Sequence, residues 1–458
     1  MTSSASVPPA SSPVPEGLRL SPFRALRYAG VDRSHLARLL SPPYDVVDED
    51  ERLELEAADP HNVVRLILPR DAAGGPPGAY RAAADLLRRW RADGVLRADD
   101  TPALYVYEMA GSSGPSGSAG SSGSAGSSGA SGSPGGSGRT RGLVGAVGLT
   151  APEAGVVLPH ENTMAGPVAD RLALTEATEA NLEPIYLVYS GGGPASQAVA
   201  SCDDQPPLVS VTVGGVTHRL WALTDPDTLR SVADDLLPRR AVIADGHHRY
   251  ATYLRHQADR HAAGSGAGPW DRGLALLVDA RTYGPQVRAI HRVMPALALS
   301  DAVAQAAAGF TVRDVAGGSA LAELTEAGKG TAFLLTDGSR WVLLTDPDPA
   351  LVDSALPAER SAAWRSLDVT IAHRVLIDRL WGLRDHEDVV GFEHDVPAAV
   401  ATAQRTGGTA LLLNPTPVEA VAAVAEAGER MPRKSTLFTP KPRTGLLMRA
   451  YEDEPDWS

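Results

Sequence analysis

The sequence has little of what several classes of protein require. It contains one cysteine, Cys202, so no disulfide can form within the chain and no second thiolate can share a metal ion. Residues Met1 to Glu16 lack the basic start and the apolar run of a signal peptide. No apolar stretch approaches the roughly 20 residues that a membrane-spanning helix needs. These absences predict a cytoplasmic protein with a disordered leader and no membrane partner.

Positive charge is also in short supply. The 458 residues include 42 Lys and Arg against 55 Asp and Glu, which gives a formal net charge of −13. A protein of this charge repels polyanions at long range, so we expect no nucleic-acid partner. The negative net charge still allows a local cationic pocket for one phosphate group, because a binding site depends on only a few residues.

Glycine is abundant but unevenly distributed. Many of the 45 glycines fall in residues 110–138, where no side chain can bury apolar area against the entropy cost of ordering. Strand-like apolar runs precede this segment at 103–109 and follow it at 142–149. We therefore predict a flexible loop at the tip of a β-hairpin.

Short apolar runs alternate with helical patterns along the rest of the chain. A helical pattern at 225–237, an apolar run at 241–244 and a second helical pattern at 250–262 give the order helix, strand, charged turn, helix. This alternation predicts the α+β class, with mixed sheets and helices. The predicted regions are a disordered leader 1–18, an N-terminal α/β region 19–215 with the flexible loop 110–138, a region 216–298, and a C-terminal α/β region 299–458.

The charged turn carries the most chemistry, in the run Asp245-Gly246-His247-His248-Arg249. A strand that ends here and opens a helix presents free N–H groups and the positive end of the helix dipole, while glycine lets a ligand approach. The guanidinium can grip a phosphate at two oxygens. We predict that Gly246 and Arg249 bind phosphate and that Asp245, His247 and His248 are catalytic. The alternative is a capping aspartate followed by packed or solvated histidines.

Residues Asp225 to Arg255 resemble the ParB and sulfiredoxin superfamily, whose strand-to-helix loop binds nucleotide phosphates, in the form found in its free-serine kinases. The cysteine that sulfiredoxins carry in this loop is absent, which argues against sulfinic-acid reduction. The resemblance implies a nucleotide-binding unit of this type in region 216–298.

From Ser21 to Gly445 the chain is also similar to a widespread family of bacterial and archaeal proteins of uncharacterised function that contains the same loop. The stretches that carry this similarity are Ser21 to Ala25, Pro42 to Val46, His160 to Thr163, Asp170-Arg171, Asn181 to Pro184, His291-Arg292, Met431 to Thr436, Pro440-Lys441 and Thr444-Gly445.

These stretches supply the remaining candidate residues. Glu161 follows a strand-like run, where a carboxylate suits proton abstraction or Mg²⁺ binding, although a capping turn explains it equally well. A second group of phosphate-binding candidates offers ammonium and hydroxyl groups to an anion: Lys434, Ser435, Thr436 and Lys441. The alternative is that these residues lie on an edge strand, where they only limit aggregation. The candidate substrate-pocket residues are Tyr44, Asp45, His160, Thr163, Asp170, Arg171 and Asn181.

This inventory predicts a nucleotide-dependent phosphotransferase that acts on a small hydroxylated metabolite, with free serine as one candidate. Phosphoryl transfer depends mainly on positioning and charge neutralisation, which cationic side chains, a carboxylate and Mg²⁺ would supply. The expected cofactors are ATP or ADP with Mg²⁺. Two alternatives stay open: a non-catalytic nucleotide-binding regulator of the ParB-like type, and a metal-dependent hydrolase of nucleotides or phosphoesters.

Overall fold

The computed structural model describes residues 17–70, 76–111, 138–384, 386 and 389–454. Most of the predicted leader 1–18 and of the predicted flexible loop 110–138 lies outside these residues. Helices and strands alternate along the described chain, which confirms the α+β class. No helix in the described ranges has both the length and the apolar character needed to cross a bilayer.

The strands are short, and many are buried on both faces. In chain order they are β1 (Leu20–Ser21), β2 (Leu26–Tyr28), β3 (Leu96–Ala98), β4 (Leu104–Gly111), β5 (Arg139–Gly148), β6 (Val157–Leu158), β7 (Ala180–Asn181), β8 (Ile185–Tyr189), β9 (Val209–Val213), β10 (Val216–Leu223), β11 (Ala241–Asp245), β12 (Arg272–Asp279), β13 (Gln286–Arg288), β14 (His291–Met294), β15 (Thr311–Val315), β16 (Ala332–Thr336), β17 (Trp341–Thr345), β18 (Gly391–Glu393), β19 (Thr409–Leu413), β20 (Leu437–Thr439) and β21 (Arg449–Ala450).

The helices are mostly two to four turns long. In chain order they are α1 (Arg33–Leu39), α2 (Glu49–Ala58), α3 (Val64–Ile67), α4 (Pro76–Ala92), α5 (Ala165–Thr178), α6 (Gly193–Ala200), α7 (Pro226–Leu236), α8 (His247–Ala262), α9 (Leu299–Ala306), α10 (Ala320–Ala327), α11 (Pro349–Ala355), α12 (Ala362–Arg365), α13 (Asp368–Ile371), α14 (Val396–Thr406) and α15 (Val418–Glu426). Short 3₁₀ turns span Pro152–Ala154, Pro269–Asp271 and Tyr451–Asp453, and a π-helix spans Ala372–Leu380.

The chain divides into two compact units that are interleaved in sequence. The first comprises Met1–Val157, Thr163–Pro285 and Pro440–Ser458, and the second comprises Leu158–Asn162 and Gln286–Thr439. These bounds differ from the expected division at 215 and 298, because strands from both sides of residue 215 share one sheet. The C-terminal residues also return to the first unit instead of completing the second.

The first unit contains a mixed sheet of nine strands among the described residues. Its order is β6-β11-β8-β12-β5-β4-β10-β9, and β1 pairs with β5. Strands β8 and β12 run parallel, whereas the other pairs with a recorded register are antiparallel. The near-continuous apolar runs of β4, β5 and β12 are buried because both faces of the sheet are covered.

Two predicted arrangements are present in this unit. Strands β4 and β5 form an antiparallel pair from Tyr105 opposite Val144 to Ala110 opposite Arg139, so residues 110–138 connect two neighbouring strands. Helix α7, strand β11 and helix α8 follow one another in the predicted order, and the charged turn lies between the last two.

The second unit is built on an antiparallel sheet of order β15-β17-β16-β19-β14-β18. Helices α10 and α14 pack on this sheet through small and branched side chains, including Ala320, Leu324, Ala399 and Ala403. Close packing of this kind gives the unit a core of its own.

Candidate functional site

The turn between β11 and α8 is the centre of the candidate site. Strand β11 ends at Asp245, and Gly246 then adopts φ 93° and ψ 31°, a left-handed conformation that glycine reaches at little cost. Helix α8 begins at His247 with no side-chain hydrogen bond capping its N-terminus. The first N–H groups of a 16-residue helix therefore point out of this turn, together with the positive end of its dipole.

An ionic cluster that runs from buried to exposed side chains lies at the same turn. The Asp245 carboxylate accepts a hydrogen bond from Arg249 Nη2 at 2.5 Å and contacts the Lys441 ammonium at 2.7 Å. Lys441 also contacts Asp45 at 3.3 Å, across 396 positions of sequence. All four residues are candidates from the sequence, and the structure brings them together.

The opposite charges in this cluster stabilise the ionised forms of its members. Burial disfavours the charged form of Asp245, but the Lys441 and Arg249 cations outweigh burial, and the pKa of Asp245 lies below its ordinary value. Burial likewise disfavours charge on Lys441, whereas Asp245 and Asp45 raise its pKa above the ordinary value. At neutral pH the cluster therefore holds a carboxylate and an ammonium, and Asp245 is a weak base.

Arg249, a predicted phosphate-binding residue, makes its contacts within the protein. Its Nη1 donates to the Pro184 carbonyl and its Nη2 to Asp245, while Nε has no hydrogen-bond partner and is buried. Side chains on a helix lean toward its N-terminus, so a guanidinium in the first turn reaches back to the residue four positions earlier. Both terminal nitrogens therefore already donate hydrogen bonds within the protein. Arg249 thus links helix α8 to the end of strand β11.

The two histidines of the turn lie in different environments. His247 is buried, whereas His248 is half-buried and its Nε2 accepts a hydrogen bond from the backbone N–H of Met164 at 3.1 Å. In the neutral form of His248 the proton is therefore on Nδ1. Met164 precedes helix α5, so His248 ties the starts of two helices together.

Tyr44 and Arg171 form one wall beside the cluster. The Arg171 guanidinium lies 4.3 Å from the centre of the Tyr44 ring, in cation–π contact, and its Nε donates to Asp170 at 2.7 Å. Burial raises the pKa of the Tyr44 hydroxyl to about 12, so this ring is neutral at physiological pH. An aromatic face backed by a cation is a surface on which a planar base can stack.

Glu183 is a functional candidate that lies in one of the sequence motifs but received no predicted role. Its Oε1 accepts from the backbone N–H of Tyr44 and from Thr444 Oγ1, both at 3.0 Å. Burial raises the pKa of Glu183, although Arg249 and Arg171 oppose that rise. The sequence could have indicated Glu183 as a candidate, because it lies in the Asn-Leu-Glu-Pro stretch directly before strand β8.

Three further predicted pocket residues make the following contacts within the first unit. Asn181 is buried, and its Oδ1 accepts from the Leu274 N–H and from Arg449 Nη1, which ties strand β12 to the C-terminal segment. Asp170 accepts from Tyr80 Oη at 2.5 Å as well as from Arg171. Thr163 is exposed.

The remaining candidates lie in the second unit, where two predicted stretches meet. His160 Nε2 is 3.0 Å from Thr436 Oγ1, and the backbone N–H of Met431 donates to the His160 carbonyl at 2.8 Å. Glu161 lies 3.9 Å from the same imidazole nitrogen. Ser435 Oγ donates to the Pro432 carbonyl, and the exposed Lys434 has a left-handed backbone with φ 54°. The cluster Lys434 to Lys441 is thus divided between the two units.

Comparison with known families gives a match over both units. The family described as "Protein of unknown function (DUF1015)" matches residues 20–120 and 131–370, about three quarters of the chain. The chain belongs to the DUF1015 family. This confirms the expected membership of a widespread uncharacterised family. The turn at Asp245 to Arg249 lies within the matched residues of this DUF1015 protein, and Lys441 lies beyond them.

Similarities to solved structures are weak. A conserved hypothetical protein from Pyrococcus furiosus has a TM-score of 0.31 and 14% identity, covering 65% of this chain and 94% of its own. A free serine kinase in complex with AMP has a TM-score of 0.31 and 13% identity, covering 62% and 83%. SbnI from Staphylococcus aureus, with a C-terminal truncation, has a TM-score of 0.32 and 9% identity, covering 68% and 87%. No curated protein matches the chain.

The cluster does not offer a ready protein cage for Mg²⁺. The Lys441 ammonium lies within 3.3 Å of both Asp45 and Asp245, where a divalent ion would otherwise bridge the two carboxylates. In the part of the chain that the structure describes, no three His, Cys, Asp or Glu side chains form a group that could hold a metal ion. The residues present therefore do not fit a protein-bound Mg²⁺, and we derive no step through one.

Proposed function

We propose that the first unit is a nucleotide-dependent phosphotransferase that binds the phosphates of ATP or ADP at the start of helix α8. The observation that carries the proposal is the uncapped helix N-terminus directly after Gly246, with the Lys441 ammonium fixed beside it by Asp245. Helix N-termini bind anions through free N–H groups and the helix dipole, and an adjacent ammonium adds a full positive charge.

The contacts to phosphate fall to groups other than Arg249, because its terminal nitrogens already donate to Asp245 and Pro184. The N–H groups of the first turn and the Lys441 ammonium make the main contacts, and His247 and His248 lie on the same turn. Arg249 is a positioning residue, because its hydrogen bonds hold the end of strand β11 and the start of helix α8 in a fixed arrangement. The Tyr44 ring over Arg171 offers a surface for the adenine base.

Asp45 is the proposed proton acceptor. Its side chain is 36% exposed against 11% for Asp245, so a hydroxyl of a small metabolite can reach it. The acceptor oxygen forms a bond to the terminal phosphorus, the bond from that phosphorus to the nucleotide breaks, and the hydroxyl proton goes to Asp45. Lys441, 3.3 Å from Asp45, neutralises charge on the transferred group. Free serine is the first acceptor to test, because the turn resembles that of free-serine kinases.

Calorimetric titration with ATP and ADP, together with transfer of labelled terminal phosphate to L-serine and other small alcohols, tests the proposal. The matched pair of variants is Lys441→Gln and Lys329→Gln, since the second removes the same charge from an exposed position of the second unit. We expect Lys441→Gln to weaken nucleotide binding by about tenfold or more, which is about 1.4 kcal/mol, and Lys329→Gln to leave it unchanged.

Three results would count against this function. Absence of nucleotide binding by the unaltered protein refutes it outright. Binding without transfer to any acceptor refutes the transferase part and favours the non-catalytic regulator. Equal weakening by both lysine variants refutes the location of the site, because a general loss of charge would then explain the effect.

A further inference from the structure

The second unit contains a cavity of about 510 Å³ whose wall is rich in arginine. The charged side chains that line it are Arg360, Arg374, Arg384, Arg430, Arg433 and Asp378. The described lining residues therefore include five guanidinium groups and one carboxylate, and Arg430 and Arg433 already interact within the protein. In a protein of net charge −13, this cavity gathers an excess of arginine side chains.

Two of these arginines are exposed and only loosely paired with carboxylates, and Arg360 also lies 5.1 Å from the centre of the Trp364 ring. The Arg374 side chain is 51% exposed, and its nearest carboxylate oxygen, on Asp378, is 3.7 Å away. The Arg360 side chain is 40% exposed and lies 3.8 Å from Glu429. Exposed ion pairs at such distances contribute little to stability, so an incoming anion can replace the carboxylates at small cost.

Part of the cavity wall is held in place by buried hydrogen bonds. Trp364 is buried, and its Nε1 donates to the Arg430 carbonyl at 2.9 Å. Arg292, also buried, donates to the Lys434 carbonyl at 2.8 Å and, through Nε, to His373 at 3.0 Å. The backbone that carries Arg430 and Arg433 is therefore arranged before any ligand binds, which reduces the entropy cost of binding.

We propose that this cavity is a second anion site, which binds a small metabolite carrying two or more phosphate groups. Guanidinium groups recognise phosphate oxygens in pairs, and several of them around one cavity favour a ligand with several charges over a single orthophosphate. The volume lies within the range of pockets for small metabolites. The site is independent of the turn at α8, since every lining residue belongs to the second unit.

Inorganic tripolyphosphate is the probe, titrated calorimetrically into the full chain with orthophosphate as the singly phosphorylated comparison. The test variant is Arg374→Glu and its matched control is Arg379→Glu, an exposed arginine of the same π-helix that does not line the cavity. Both change the net charge equally. We expect Arg374→Glu to weaken tripolyphosphate binding by about tenfold or more and Arg379→Glu to change it by less than about twofold.

The variant Lys441→Gln separates the two proposed sites. Tripolyphosphate binding at the arginine cavity persists in Lys441→Gln, whereas binding at the start of α8 weakens. Circular dichroism and thermal unfolding establish that each variant is folded before titration. The proposal is overturned if tripolyphosphate does not bind, if Arg374→Glu and Arg379→Glu weaken it equally, or if Lys441→Gln alone abolishes it.

Discussion

Replacing Asp245 with asparagine removes a negative charge from between two cations. Arg249 and Lys441 contact this carboxylate at 2.5 and 2.7 Å, and the Arg249 and Asp245 side chains are nearly inaccessible to water. Asparagine keeps the shape and one acceptor oxygen, but the two cations then repel each other with no carboxylate between them. Removing one partner of a buried ion pair costs about 3–5 kcal/mol, so we expect Asp245→Asn to lower the free energy of unfolding of the first unit by that amount.

The pH dependence of this loss has a defined sign. The folded pKa of Asp245 lies below its ordinary value of 3.8 because Lys441 and Arg249 outweigh the effect of burial. The stabilisation by the carboxylate is therefore complete above pH 3.8 and is lost as the pH falls through the folded pKa. We expect the difference between the unaltered protein and Asp245→Asn to be largest at neutral pH and to shrink in acid.

Urea unfolding followed by circular dichroism, at neutral and at acidic pH, measures both effects. The control is Asp45→Asn, which removes the more exposed carboxylate partner of Lys441 and should cost less than about 1 kcal/mol. An equal loss in the two variants, or a loss for Asp245→Asn that does not depend on pH, would refute the assignment of Asp245 as the charged centre of the cluster.

Two further predictions concern the sheet of the first unit. Burial, with a smaller contribution from Arg443, lowers the pKa of His218 from 6.5 to about 3, and its Nδ1 lies 2.8 Å from Tyr107 Oη. The unfolded chain therefore takes up a proton that the folded chain does not, and the free energy of unfolding falls by about 1.4 kcal/mol for each pH unit of acidification between these values. We expect His218→Gln to abolish this part of the pH dependence, measured by urea unfolding at several pH values. A Cβ atom at Gly142 would lie 2.3 Å from the Leu277 carbonyl oxygen, so Gly142→Val should cost about 1–3 kcal/mol or more, measured by thermal unfolding. The control Gly166→Ala, in an open helical position, should be neutral or slightly stabilising, and a small effect of Gly142→Val would contradict the described register.

Local patterns predicted the elements around the site. The apolar run at 241–244 and the helical pattern after it appear as β11 and α8, and the hairpin at 103–149 appears as β4 and β5. These features depend on the periodicity of neighbouring side chains, which a sequence shows directly. The contact of Arg249 with Asp245 was also predictable, because a side chain in the first turn of a helix leans toward its N-terminus and reaches the end of the preceding strand.

Long-range pairing could not be predicted in the same way. Nothing local indicates that Lys441 contacts Asp45 and Asp245 while Lys434, seven residues earlier, belongs to the second unit. The difference depends on where the chain crosses between units, after Thr439, and a periodic pattern does not record such a crossing. The arginine cavity likewise collects Asn162 and residues between 360 and 433, which only the fold brings together.

The return of residues 440–454 to the first unit sets an order on its assembly during synthesis. Strand β21 pairs with β7, and the buried Arg449 donates to the carbonyls of Pro269 and Arg272. A ribosome adding about 5–20 residues per second translates the whole segment Gln286 to Thr439 of the second unit before it delivers these partners. For some seconds after most of the first unit has been translated, strand β7 therefore lacks its partner β21. The ionic cluster lacks Lys441 during the same interval. The first unit is therefore completed only after residues 440–454 have been translated.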